Sequence, residues 1–156
     1  MDDTRSHLDS VARLMASPRV AERKPRREVD WPIAHFEPLD VRAFYDACDG
    51  ILLDDGVRIF GKGELRDVTA WLVLEKGLGW PDDIVVVGER RDCVLVVDLD
   101  VAGVRAGGGL LEAASDDLGA FDRVASSLVG YLLVRSGAGE DRTPPPEVAA
   151  RRAASA

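Results

Sequence analysis

Apolar residues along the 156-residue chain recur in two rhythms, one near 3.6 residues and one of 2, and their alternation outlines the elements. Leu8, Val11, Ala12, Leu14 and Met15 predict a short amphipathic helix that stops before Pro18. Residues 19–30 lose this periodicity and read as an exposed linker. The next helical run is Leu39, Ala43, Phe44 and Ala47, widened by Val41, Tyr45 and Cys48, with Gly50 as its natural end. Trp31 and Phe36 are expected to pack over it. In "ILLDDGVRIF" two short apolar runs flank Asp55-Gly56, a hairpin signal. Residues 64–76 predict a further helix with Leu65, Val68 and Leu72 on its core side, joined by Trp71 and Leu74; "GLGWPDD" breaks it.

The strongest strands are 84–88 and 93–99, joined by the charged turn "ERRD". In the second, Cys93, Leu95, Val97 and Leu99 face one way, and Val94, Val96, Asp98 and Asp100 the other. That strand starts apolar on both faces and is expected to become half-solvated toward its end. "GGGLLEAA" supplies another short strand. The last helix is predicted over 116–135, where Leu118, Phe121, Val124 or Ala125, Leu128, and Tyr131 or Leu132 fall at core spacing and Asp116 or Asp117 caps the start. Links between the later strands are too short for helical crossovers. The order therefore predicts an α+β fold, with a mainly antiparallel central sheet packed by helices. Residues 1–30 read as a flexible or partly helical basic arm, 31–136 as a single domain, and 137–156 as a flexible Pro/Ala-rich tail.

Composition supports a folded chain: 46% of residues are hydrophobic, and with only 6% aromatic the core must be built from Val, Leu and Ile. The formal net charge is -8, which disfavours a general nucleic-acid binder. The charge is uneven, because Arg19, Arg23, Lys24, Arg26 and Arg27 cluster against a single Glu22 and an acidic body follows. Two cysteines, Cys48 and Cys93, make neither a disulfide framework nor a CxxC site. The polar opening does not read as a signal peptide, and no apolar run approaches the roughly 20 residues of a membrane span. A soluble cytoplasmic protein is the expectation.

Catalytic constellations fail one by one. Asp98 and Asp100 project from one strand face, roughly 7 Å apart, and can share a cation. A magnesium or manganese site needs more oxygen ligands, and no phosphate-binding loop accompanies the pair. The doublets Asp54-Asp55, Asp82-Asp83 and Asp116-Asp117 each sit beside a turn or helix start, where Asp is favoured for local hydrogen bonding. His7 and His35 belong to no HExxH or other His cluster. Cys48 with His35 is a nucleophile-and-base pair only if the fold joins them; a buried cysteine and an unrelated surface histidine is the simpler reading. "FGKGEL" lacks the GxxxxGK[ST] arrangement and "VAGVRAGGGLLE" lacks GxGxxG. No cofactor or metal is expected, and the chain reads as a non-enzyme.

Residues 38–59, "PLDVRAFYDACDGILLDDGVRI", resemble the opening signature of the SMI1/KNR4 family, the SUKH superfamily, through Leu39, Phe44, Tyr45, Asp49, Gly50, Ile51 and Leu52. "PDDIVVVGERRDCVLVVDLD" looks like that family's central strand pair, and "FDRVASSLVGYLL" is similar to its closing helix. The resemblance covers roughly residues 31–134. It implies an α+β domain that binds other proteins, often as an immunity protein neutralising a bacterial toxin such as a nuclease, and it brings no catalytic residue set. Acidic candidates for partner contact are Asp54, Asp55, Asp82, Asp83, Glu89, Asp92, Asp98 and Asp100, suited to the basic groove of a nuclease. The alternatives are a regulatory or scaffolding module that uses the basic arm and, with least support, a metal-dependent enzyme using Asp98 and Asp100.

Overall fold

The computed structural model describes residues 3–33, 37–81, 83–99 and 109–137. His35, Phe36, Asp82, Asp100 and the tail beyond residue 137 lie outside the described residues. The elements in chain order are α1 (Asp3–Met15), β1 (Val20–Arg23), α2 (Leu39–Ala47), β2 (Ile51–Leu53), β3 (Val57–Ile59), α3 (Leu65–Lys76), β4 (Ile84–Arg90), β5 (Cys93–Asp98), β6 (Gly109–Ala114), β7 (Asp117–Ala125) and α4 (Leu128–Ser136). The described strands form one sheet in the order β1 to β7, and every neighbouring pair is antiparallel. The expected α+β class, with an antiparallel sheet packed by helices, is therefore the observed one.

Strand alternation explains why both faces of the sheet are covered. Val85, Val87, Leu95, Val97 and Leu110 point to one face, where they meet Leu14 of α1, Phe44 of α2 and Leu132 of α4. Ile84, Val86, Val96, Leu111 and Ala113 point to the other and meet Leu72 of α3. A strand buried on both sides cannot alternate apolar with polar, which is why "IVVV" and "VLVV" are continuous apolar runs. Trp31 packs against the first of these clusters, as expected.

Gly88 marks a break in the alternation. The β4–β5 register shifts between Val86 and Gly88, placing Gly88 opposite Leu95. A Cβ at Gly88 would lie 2.2 Å from the Arg58 carbonyl oxygen and 2.8 Å from Ile59 Cδ1. The bulge thus lets β3 approach β4 only because residue 88 has no side chain. Gly50, at φ 120°, makes the expected turn after α2 in a conformation that suits glycine.

Several expectations are corrected. Residues 116–135 are not one helix: β7 occupies Asp117–Ala125 and α4 begins only at Leu128. The β6–β7 register jumps, with Glu112 opposite Asp122 and Ala114 opposite Asp117. This irregularity brings Leu118 and Phe121 to the same apolar cluster although they are three residues apart, a spacing that imitates a helix. The cap of α4 is Ser127, whose Oγ accepts the Gly130 N–H at 3.0 Å, and not Asp116 or Asp117.

The stretch after Pro18 is not a bare linker. β1 pairs with β2, and the ladder extends through Lys24 N–H to the Gly50 carbonyl and Asp49 N–H to the Lys24 carbonyl. Backbone bonding holds this edge strand while its side chains stay mostly exposed, so apolar periodicity had nothing to register. Val11 and Leu14 of α1 are buried in the main core, so packing begins well before residue 31. Trp71 and Leu74 are likewise not core residues, being 62% and 82% exposed.

Helix α4 is fastened from a distance. Asp40 Oδ2, in the first turn of α2, accepts the Leu128 N–H at 2.8 Å and lies 3.4 Å from the Val129 nitrogen. The carboxylate meets two otherwise unpaired donors at a helix N-terminus, where the helix dipole also favours negative charge. Asp40→Ala is expected to cost about 1–3 kcal/mol, since it leaves the buried Leu128 N–H unsatisfied; chemical denaturation should show a lower midpoint at unchanged slope. Gly88→Ala is expected to cost at least ~2 kcal/mol through overpacking at the bulge, readable in the same titration.

Candidate protein interface

In an up-and-down antiparallel sheet, alternate turns share one end. The β2–β3 turn at Asp54–Gly56, the β4–β5 turn at Arg91–Asp92 and the β6–β7 turn at Ser115–Asp116 therefore lie together. The last two are also tied: the Ser115 N–H and hydroxyl both donate to the Asp92 carbonyl oxygen, each at 2.7 Å. Asp54, Glu89, Asp92, Asp116 and Asp117 are exposed at this end, with Arg58 and Arg91 among them. Arg91 holds φ 52°, the left-handed conformation that non-glycine residues adopt at some cost.

Under these turns lies a polar layer on the face covered by α4. Asp55 Oδ1 accepts the Val57 N–H at 3.2 Å, while its Oδ2 accepts Arg135 Nε at 3.0 Å. The Arg135 guanidinium stands 5.8 Å from the centre of the Tyr131 ring. Arg90 directs Nε and Nη2 at one oxygen of Glu112, at 3.1 and 2.7 Å. The Tyr131 hydroxyl is buried and has no hydrogen-bond partner among the described residues.

The titration directions follow from burial and from the pairing within this layer. Burial opposes the Arg90 charge, but the Glu112 hydrogen bond and charge outweigh it and raise its pKa. Burial raises Tyr131 above the ordinary tyrosine value, against the pull of Arg135 and Arg90. Burial, then Glu112, pushes the Cys93 thiol up as well. A nucleophilic cysteine needs the opposite shift. Cys48 is also raised, first by burial, and its Sγ lies 3.9 Å from the Phe44 carbonyl oxygen it donates to; His35, its suggested base, lies outside the described residues.

The expected acidic contacts divide between the two ends of the sheet. Asp54, Glu89 and Asp92 gather at the turn end, with Asp55 held half-buried beneath them. Asp83 and Asp98 belong to the opposite end, where Asp98 lies opposite Ile84 and the Asp83 carbonyl accepts the Leu99 N–H at 2.8 Å. Asp98 is only 5% exposed. The half-solvated strand end is therefore corrected, because the sheet continues past it and β6 pairs along its whole length. Asp82 and Asp100 lie outside the described residues, and among the described residues no group of three or more His, Cys, Asp or Glu is placed to hold a metal ion. Asp116 and Asp117, expected at a helix cap, join the turn end instead.

The "FGKGEL" segment has its own account. Glu64 Oε2 accepts the Gly61 N–H at 2.8 Å, and Asp49 Oδ1 accepts the Lys62 N–H at 3.0 Å. The Lys62 ammonium pairs with Glu37 at 3.5 Å. Tyr45 Oη donates to the Phe60 carbonyl at 2.7 Å, and burial raises its pKa well above the ordinary value. The donors a phosphate would seek are already taken by the chain's own carboxylates, so the connection from β3 to α3 is braced and is not an anion cradle.

A second exposed feature lies on α3. Its inward residues Leu65 and Leu72 are buried, whereas Trp71 and Leu74 project into solvent. Comparison with protein-family models, curated proteins and solved structures returned no match for the chain. Among the described residues no helix is long and apolar enough to cross a membrane.

Two outcomes follow from the polar layer. Glu112→Gln removes a carboxylate that holds the Cys93 proton and frees Arg90 to favour the thiolate. The thiolate then forms at lower pH, so labelling of Cys93 by a disulfide reagent at pH 8 should accelerate severalfold. Tyr131→Phe deletes a buried hydroxyl with no partner and should leave stability unchanged or raise it by up to ~1 kcal/mol in denaturant titration.

Proposed function

We propose that the chain is a non-enzymatic protein-binding domain, most concretely an immunity protein that binds and neutralises a bacterial toxin with a basic active groove, such as a nuclease. The observation that carries this reading is the turn end, where Asp54, Glu89, Asp92, Asp116 and Asp117 stand exposed on three turns, two of them tied to each other. Tied turns on a sheet hold their charges in place, which lowers the ordering cost of binding. A fixed acidic surface on a chain of net charge -8 also accelerates the approach of a basic partner and excludes nucleic acid from the partner's groove.

The SMI1/KNR4-like signature across residues 38–59 favours the same role, since the resemblance implies protein binding without a catalytic set. Cytoplasmic residence would suit a protein that meets an incoming toxin inside the cell. A regulatory or scaffolding role uses the same surface with a housekeeping partner, and the identity of what is bound separates the two.

Affinity capture of the full-length chain from its native cells, with mass spectrometry of the bound protein, tests the reading. A stoichiometric basic effector is expected, lost when Asp92 and Asp116 are changed to Arg and weakened at least tenfold between 50 and 500 mM salt, about the scale for several screened charge pairs. Retention of every partner by the doubly reversed variant would sink the acidic-surface reading.

A further inference from the structure

Arg91 occupies the short β4–β5 turn, between the paired Arg90 and Cys93, and holds φ 52°. Among residues with a side chain, only Asn and Asp adopt that conformation at little cost, whereas glycine avoids the cost altogether. A buried contact or an ion pair can offset it. The Arg91 side chain is instead exposed and makes no hydrogen bond or ion pair among the described residues. Strain of this kind gathers at sites that meet a ligand and persists where the surroundings hold it. Here they do, because the carbonyl of the next residue, Asp92, receives both the Ser115 N–H and hydroxyl.

The charges around Arg91 set the chemistry. Its turn is the middle one of the three that share this end. Exposed carboxylates are Asp54 on the first turn, Glu89 and Asp92 at the middle one, and Asp116 and Asp117 at the last. The exposed cations are Arg19, Arg58 and Arg91. Arg58 lies directly across the ladder from Glu89, an opposite-charge cross-strand pair. Arg19 lies along the C-terminal end of α4, with Nε 3.6 Å from where a Gly137 Cβ would stand, and the helix dipole favours a cation there. Beneath them Arg90 and Arg135 are paired with Glu112 and Asp55. Among the described residues, Arg91 is thus the cation of this end with neither a cross-strand carboxylate nor a helix terminus to engage it.

The complement of such an end is a basic surface with a carboxylate set into it. A nucleic-acid strand fits poorly, because carboxylates on all three turns would face its phosphates. A phosphate-handling groove fits well. Its walls are basic, and its floor carries the carboxylates that hold magnesium against the substrate's phosphates. We propose that Arg91 is the specificity-determining residue of the turn end, pairing with a carboxylate on the floor of the partner's groove while the acidic turns meet the basic walls. This rests on the protein-binding reading and names the group recognised. The planar guanidinium can engage that carboxylate through two hydrogen bonds at once, a geometry an ammonium lacks.

Two variants of the full chain test the proposal. Arg91→Lys keeps the charge and supplies an amine that a carbodiimide joins to a carboxylate in contact with it. After capture from native cells and crosslinking, the expected new amide runs from position 91 to an Asp or Glu of another protein, in a segment that also carries Lys or Arg. An amide only to the chain's own carboxylates, or none while the partner is bound, overturns the proposal. In Arg91→Gly the denaturation midpoint should hold or rise, since glycine suits φ 52°. Affinity for the captured partner should fall about thirtyfold, the scale of an arginine hot spot. A markedly lower midpoint would show that the side chain braces the fold, which also overturns the proposal. Should Arg91→Gly bind normally while reversal of Asp92 and Asp116 abolishes binding, the protein-binding reading stands and Arg91 is removed from it. A chain that captures no protein at all sinks both.

Discussion

The Asp40 carboxylate on the N-terminus of α4 is the contact on which the layered arrangement depends. It joins residues 88 positions apart, is buried, and satisfies backbone donors that have no partner inside their own helix. Because α2 and α4 both cover the same sheet face, this one bond sets how they lie over it. Leu132 and Phe44, both fully buried, fill the space that the bond defines. The polar layer beside it follows from the same placement, since Arg135 reaches Asp55 and Tyr131 approaches Arg90 only if α4 begins where Asp40 holds it.

Much of the fold was legible because doubly buried strands and hairpins leave strong local signals. "ILLDDGVRIF" and "IVVVGERRDCVLVVD" were read correctly from composition and turn residues alone. The failures share a physical origin in structure that the local pattern does not encode. β7 imitates helical spacing because its bulge brings Leu118 and Phe121 to one face. β1 is held by backbone bonds that no side-chain pattern records. Asp40 carries no local sign of its role, because its partner is known only once α4 is placed. The helix start at Leu128 did carry a legible signal, the Ser126-Ser127 pair, which a longer apolar periodicity overrode.

The candidate surface was half legible for a related reason. Acidic turn residues are easy to find, but which turns share an end depends on topology. The meander collects Asp54, Glu89 and Asp92 and separates them from Asp83 and Asp98. Trp71 and Leu74 are added to the core side that Leu65 and Leu72 already mark in the sequence, but on α3 they project into solvent.

The strand order has a further consequence for how the molecule assembles. Each strand pairs with its neighbour in sequence, so the sheet can grow by adding one strand at a time with short loop closures. The helical cover obeys a different rule. Ser17 donates to the Ser136 carbonyl across 119 positions, and α1 packs on α4, so this layer closes only after both ends of the described chain have been made. On a ribosome the β1–β6 sheet can form while its helical face still lacks Leu128, Leu132 and the rest of α4. Until α4 is made, the part of that face which α4 covers stays bare, the kind of surface that chaperones retain until a chain is complete.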